Sequence, residues 1–140
     1  MSRRDLFHDA VRAALLSDNW VITNDPLTLA FGRTNVYIDL GAQSAIGAER
    51  EGEKIAIEIK GFRSPSGVAD LEDAIGQYML YGVVLERAEP DRTLWLAVPT
   101  TAYDAVFRES DTRDLVMPKL NIRLVVIDPA TQRITQWITP

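Results

Sequence analysis

The chain contains no cysteine and a single histidine, His8, in 140 residues. The first absence excludes disulfide frameworks, thiolate-ligated zinc and a cysteine nucleophile. The second excludes a multi-histidine metal site within one chain, and any Ser-His-Asp triad would have to use His8. A metal site in this sequence must therefore be built from oxygen donors, which suit Mg²⁺, Mn²⁺ or Ca²⁺. Long apolar runs are also missing. No stretch approaches the ~18 residues that span a bilayer, and Met1-Ser2-Arg3-Arg4-Asp5 lacks the apolar segment of a secretion signal. These features read as cytoplasmic. Positive charge is in deficit too: 15 Lys and Arg against 20 Asp and Glu leave a net charge of −5 and a pI near 4.8. Strong non-specific DNA binding by the monomer is not expected, because phosphate contacts supply most of that affinity. A local basic lip, a partner that brings charge, or contact through a metal stays open.

What is present fits one globular domain over residues 1–140. Hydrophobic residues make up 46% and charged residues 25%, and a chain of this size buries roughly two-thirds of its unfolded surface. Residues 2–18 read as a helix, with Ser2 as cap, Leu6, Phe7, Ala10, Val11, Ala14 and Leu15 as its apolar stripe, and Asn19 as its end. Extended segments follow at Trp20–Thr23, Leu27–Phe31 and Val36–Leu40, separated by Asp25-Pro26 and Gly32-Arg33-Thr34-Asn35. Ile46–Arg50 and Lys54–Gly61 read as a hairpin around Glu51-Gly52-Glu53. A helix over about Val68–Arg87 follows Ser64-Pro65-Ser66-Gly67. Its Gly76 and Gly82 suggest close approach to a sheet. Leu94–Val98 is a continuous apolar run, as in a strand covered on both faces. Pro99-Thr100-Thr101 opens a short helix through Phe107, and Ser110–Leu120 carries no clear period. Ile122–Asp128 and Ile134–Thr139 read as late strands. The order predicts an α/β fold, a mixed sheet flanked by helices, with a parallel crossover through the long helix.

The residues with chemical potential cluster around Lys54–Lys60. Strand alternation puts Lys54, Ala56, Glu58 and Lys60 on one face and Ile55, Ile57 and Ile59 on the other. Glu58 can hold a hard cation while Lys60 points into the same space. Asp39, at the end of an apolar segment, offers a second carboxylate from a neighbouring strand. Carboxylates, a cation that polarises a phosphoryl group, and a positive group that steadies developing charge are what phosphodiester hydrolysis needs. Taken alone, a Glu and a Lys two apart are more often a solvated strand edge, and Asp39 alone fits a turn cap at Gly41. Gln77 and Tyr81, four apart on the long helix, lie beside its apolar face. They either reach the site, or Tyr81 is core and Gln77 a boundary residue. Glu49 is a candidate metal ligand, but cross-strand pairing with Lys54 is the favoured reading. His8, at the edge of the first helix's apolar stripe, reads as a boundary histidine with a local hydrogen bond. Trp137 reads as core packing ahead of a partner surface.

The series Asp39, Glu58-Ile59-Lys60, Gln77 and Tyr81 resembles the PD-(D/E)xK nuclease superfamily, with Ile38 where proline often precedes the first acid. More closely, Phe7-His8-Asp9-Ala10-Val11, Tyr37-Ile38-Asp39-Leu40-Gly41-Ala42, Ile57–Lys60, Gly76-Gln77-Tyr78, Leu96-Ala97-Val98-Pro99, Val126-Ile127-Asp128-Pro129 and Gln136-Trp137 resemble the XisH family of cyanobacterial fdxN-element excision controlling factors. This resemblance covers nearly the whole chain. It implies a restriction-endonuclease-like α/β fold and a role in programmed excision of a DNA element, alongside a recombinase and the small partner XisI. Under it, Asp39 and Glu58 bind Mg²⁺ (or Mn²⁺), with the Ile59 carbonyl or Glu49 as a further ligand. Lys60 stabilises charge or positions water, Gln77 orients the site or touches the DNA backbone, and His8 or Asp9 is the polar residue that the first helix of a nuclease-like fold would aim at the metal. The alternative is a non-catalytic accessory protein that keeps the fold and binds DNA or a partner; a homo-oligomer stays open.

Overall fold

The structure is a computed structural model that describes residues 3–44 and 52–140. Helix α1 (Arg3–Ser17) buries Phe7, Ala10, Val11, Ala14 and Leu15, the stripe expected from its spacing; Leu6 stays exposed. The chain leaves the helix through Asn19 at φ 65°, a left-handed conformation that asparagine tolerates. Among the described residues eight strands follow: β1 (Trp20–Asn24), β2 (Leu27–Phe31), β3 (Thr34–Ile38), β4 (Leu40–Ser44), β5 (Lys54–Ile59), β6 (Arg92–Pro99), β7 (Leu124–Asp128) and β8 (Arg133–Ile138). Six of them form one sheet in the order β1-β4-β5-β6-β7-β8, and β2-β3 form a separate hairpin. The β5–β6 and β6–β7 pairs are parallel and the others antiparallel. Helix α2 (Gly67–Ala88) makes the crossover from β5 to β6, as the sequence order predicts. Ser66 caps α2 by accepting from the Ala69 N–H.

The sheet is covered on both faces. Ala56, Leu94, Leu96, Val98, Leu124 and Val126 pack with α2 residues Ala74, Tyr78, Val84 and Leu85 and with the β2-β3 hairpin residues Leu27, Leu29, Val36 and Ile38. Ile55, Ile57, Trp95, Ala97, Val125 and Ile127 pack with α1. The apolar run of β6 therefore serves both layers. Among the described residues no helix is long and apolar enough to cross a membrane.

Several expectations change, and one segment without a clear reading resolves. Ile46–Arg50 and Glu49, one arm of the expected hairpin, lie outside the described residues. The strand that pairs antiparallel with β5 is β4, with Leu40 opposite Ile57 and Gln43 opposite Lys54. A single strand Val36–Leu40 is not formed: the chain bends at Asp39, leaving Ile38 in the hairpin and starting Leu40 in the main sheet. Gly41-Ala42 hides β4 from a reading by strand propensity, yet both are buried. A Cβ at Gly41 would lie 2.7 Å from Asn24 Oδ1, so close packing selects glycine there. Gly76 faces open space, with no atom within 4 Å of a Cβ placed on it, and Gly82 meets Leu94 only at an ordinary 3.7 Å. Neither brings α2 unusually near the sheet. Finally, Ser110–Leu120 is helical: α3 (Thr100–Ala102) runs into a π-helical turn at Tyr103–Phe107, and a second π-helical turn at Asp111–Val116 leads into α4 (Met117–Lys119). Widened turns blur the 3.6-residue period on which a helix is read.

Candidate functional site

Because Leu40 pairs with Ile57, the antiparallel register carries Asp39 alongside Glu58 and Ile59. The Ile59 N–H donates to Asp39 Oδ2 at 2.8 Å, which fixes the carboxylate at the end of β5. Ala56 lies in the core layer facing α2, so Glu58 and Lys60 point to that side by strand alternation. Glu58 is 5% exposed, a buried carboxylate rather than a solvated strand edge. The Lys60 N–H donates to Ala97 O at 2.9 Å, which extends the attachment to β6 one residue past the strand.

These groups line one cavity of about 260 Å³ whose wall includes Asp39, Glu58, Ile59, Lys60 and Gln77. His8 lines it from α1 and is also tied to Asp25, with Nε2 3.0 Å from Oδ1. Arg12 pairs with the same carboxylate. The local hydrogen bond and a position at the cavity thus coexist in one residue. Asp9 is exposed and not part of the wall. Tyr81 is half-buried against the α2-side core, and of the helix pair Gln77 is the one that lines the cavity. Lys60 Nζ lies 3.6 Å from Asp73 Oδ2, with side chains 22% and 70% exposed. A pair that open to water holds Lys60 only weakly. Lys54, for which Glu49 was the expected partner, pairs with Asp91 at 3.2 Å.

Two charged wall residues escape the sequence reading. Asp70, in the first turn of α2, is buried at 7% exposure, and its Oδ2 accepts from the Ser64 N–H at 2.9 Å. In sequence it looks like an acid placed for the helix dipole; only its burial marks it out. Arg63, in the loop after β5, also lines the cavity.

The donor set is oxygen-rich, as the shortage of Cys and His requires. Among the described residues no three Asp, Glu or His side chains are grouped to hold a metal by themselves. Two carboxylates still fit Mg²⁺, which commonly takes one or two and completes its shell with water and substrate phosphate.

A family model described as XisH protein matches residues 1–135. The chain belongs to the XisH family. It is similar to a solved XisH family protein from Nostoc punctiforme, at 38% identity and a TM-score of 0.84. It is also similar to an fdxN element excision controlling factor protein from Anabaena variabilis, at 38% identity and a TM-score of 0.83. Each likeness covers 96% of this chain and 99% of the other. No curated protein matches. The family match over residues 1–135 takes in β1 to β7, the start of β8 and both long helices, including the segment from Asp39 to Gln77.

Proposed function

We propose that this XisH family chain acts in programmed excision of a DNA element through a Mg²⁺- or Mn²⁺-dependent endonuclease-like site of PD-(D/E)xK type. The observation that carries the reading is convergence: Asp39 from the bend between β3 and β4, Glu58 from β5, Lys60 from just past its end and Gln77 from α2 line one cavity. Asp39 and Glu58 would hold the cation, with the Ile59 carbonyl or Glu49 as a further ligand. When bound, it would polarise a phosphoryl oxygen and lower the pKa of a water. The Ile59 N–H orients Asp39, Lys60 supplies positive charge against the developing phosphorane, and Gln77 orients water or the DNA backbone. DNA and an XisI-like protein are the proposed partners, and charge from such a partner would offset the acidity of this chain.

The second reading is a non-catalytic accessory protein that uses the same fold to bind DNA or a partner. The net charge of −5 favours it. Cleavage of supercoiled DNA in Mg²⁺ or Mn²⁺, with and without the partner, separates the two. The enzyme reading expects nicking or linearisation that Lys60→Ala, Asp39→Ala and Glu58→Ala abolish. No cleavage under any of these conditions, with excision in cells unaffected by Asp39→Ala and Glu58→Ala, would sink it.

A further inference from the structure

The loop that leaves β5 is pinned on both sides of one arginine. Before Arg63, Phe62 adopts φ 54° and packs edge-on against Phe107, with ring centroids 5.3 Å apart. After it, the Ser64 N–H is held by the buried Asp70 carboxylate at 2.9 Å. Asp70 belongs to α2, whose cap Ser66 donates its own N–H to Ser64 Oγ at 3.2 Å. The loop is thus attached to core and helix within three residues. Arg63 itself is exposed, lines the cavity and forms no ion pair with any described carboxylate. Its chain runs back over Gly61, where a Cβ would stand 3.2 Å from the guanidinium Nε.

A guanidinium on a fixed backbone, beside carboxylates but uncommitted to any of them, suits an oxyanion supplied from outside, and two phosphate oxygens take it in a bidentate fork. We propose that Arg63 grips a backbone phosphate of nucleic acid at the mouth of the cavity, and that Asp70 is the positioning residue that holds it there. This rests on the reading of the cavity as a phosphodiester site and adds the group that seats the strand. It also accounts for how an acidic chain meets DNA: the contact is one placed cation beside the site rather than a basic surface.

The test is anisotropy of a labelled DNA duplex in Ca²⁺ and, separately, in EDTA, across a salt series, with cleavage followed in parallel. Losing one phosphate contact lowers the slope of log K against log salt by about 0.9, and Arg63→Ala is expected to do so while weakening binding about tenfold at moderate salt. Arg63→Lys keeps the slope and recovers part of the affinity. Asp70→Ala reproduces the Arg63→Ala loss with the arginine still present, and Asp70→Asn, which keeps an acceptor for Ser64, restores it. Wild-type affinity and slope in Arg63→Ala overturn the proposal; if Lys60→Ala still abolishes cleavage, the nuclease reading survives without it. A wild-type protein that neither binds nor cuts DNA, alone or with its partner, overturns both. Loss in Arg63→Ala with none in Asp70→Ala leaves Arg63 in place and refutes the part given to Asp70.

Discussion

Asp39 carries two roles that substitution can separate. Its Oδ2 accepts the Ile59 N–H at 2.8 Å, and its carboxylate is a proposed ligand for a divalent cation. Asp39→Ala removes both; Asp39→Asn keeps a neutral acceptor for Ile59 and removes the charge. A hydrogen bond to a charged group contributes about 1.5–3 kcal/mol, and the half-exposed setting of Asp39 places it near the lower end. Asp39→Ala should therefore cost about 1.5 kcal/mol. At about 3 °C per kcal/mol for a chain of this size, Tm falls by roughly 5 °C. Asp39→Asn exchanges a charge-assisted bond for one about half as strong, so it should cost about 0.7 kcal/mol and roughly 2 °C. The cation enters by linkage: at a hundred times Kd a ligand stabilises the folded state by about 2.7 kcal/mol. Thermal melts with Mn²⁺ or Mg²⁺ titrated in should raise the wild-type Tm by several degrees and leave both variants nearly unmoved. A wild-type Tm that ignores the cation, or an Asp39→Asn Tm that follows it equally well, refutes the ligand role. An Asp39→Ala Tm equal to wild type without metal refutes the structural one.

Three further perturbations test the frame around the site. Tyr78 is buried, donates its hydroxyl to Leu94 O at 3.0 Å and accepts from the Arg123 N–H at 3.0 Å; burial pushes its phenol pKa up. Tyr78→Phe leaves both main-chain groups wanting and should cost about 1–3 kcal/mol in urea denaturation, and an unchanged midpoint would show that water replaces the hydroxyl. Ile57, fully buried between α1 and the sheet, should lose about 2–5 kcal/mol on change to Ala; a smaller loss would mean that α1 collapses into the gap. The Lys54 hydrogen bond draws the Asp91 carboxyl below its ordinary value of 3.8. Its stabilisation is therefore present above that pH and fades as pH falls through the lowered value. Wild type should exceed Asp91→Asn slightly in Tm at neutral pH and low salt, with the gap closing in acid and in high salt; a gap that persists in acid contradicts the pairing.

The sheet's parallel centre was legible because two strong signals agree there: alternation in Lys54–Lys60 and the unbroken apolar run of Leu94–Val98. The helix between them left only a crossover. The strand β4 was not legible, since Gly41 and Ala42 have low strand propensity and owe their place to what packs over them. At the site, the spacing of Glu58 and Lys60 was enough to put both on one face. That Glu58 is buried, that Gln77 lines the cavity while Tyr81 packs against the core, and that Asp70 turns inward depend on tertiary packing, which local periodicity does not encode. Trp137 shows the same limit in reverse. Its edge-on contact with Trp95 at 4.8 Å and tilted contact with Trp20 at 5.7 Å place it in an aromatic cluster on the α1 side, in line with the expectation of packing.

The bend at Asp39 also explains why the site sits where it does. A strand continuing straight from Val36 through Ala42 would have kept the hairpin and the main sheet in one plane. The break instead sends Val36 and Ile38 into the core layer around α2 while Leu40 and Ala42 face α1. The one residue between those commitments is free of both cores, and its carboxylate is taken by the N–H of the residue that separates Glu58 from Lys60. The bond that ties the bend to the end of β5 is therefore the same bond that aligns the first acid with the Glu-Ile-Lys strand end. Any change that relaxes the bend should loosen the cavity and the fold together, so a variant that keeps full stability yet scatters these side chains is not expected at Asp39. It is expected at Gln77, which is exposed and contributes to the cavity wall without holding the sheet. Gln77→Ala should leave Tm within about 1 °C while lowering any DNA cleavage. Equal cleavage in Gln77→Ala and wild type would remove Gln77 from the site and leave the Asp39–Ile59 link untouched.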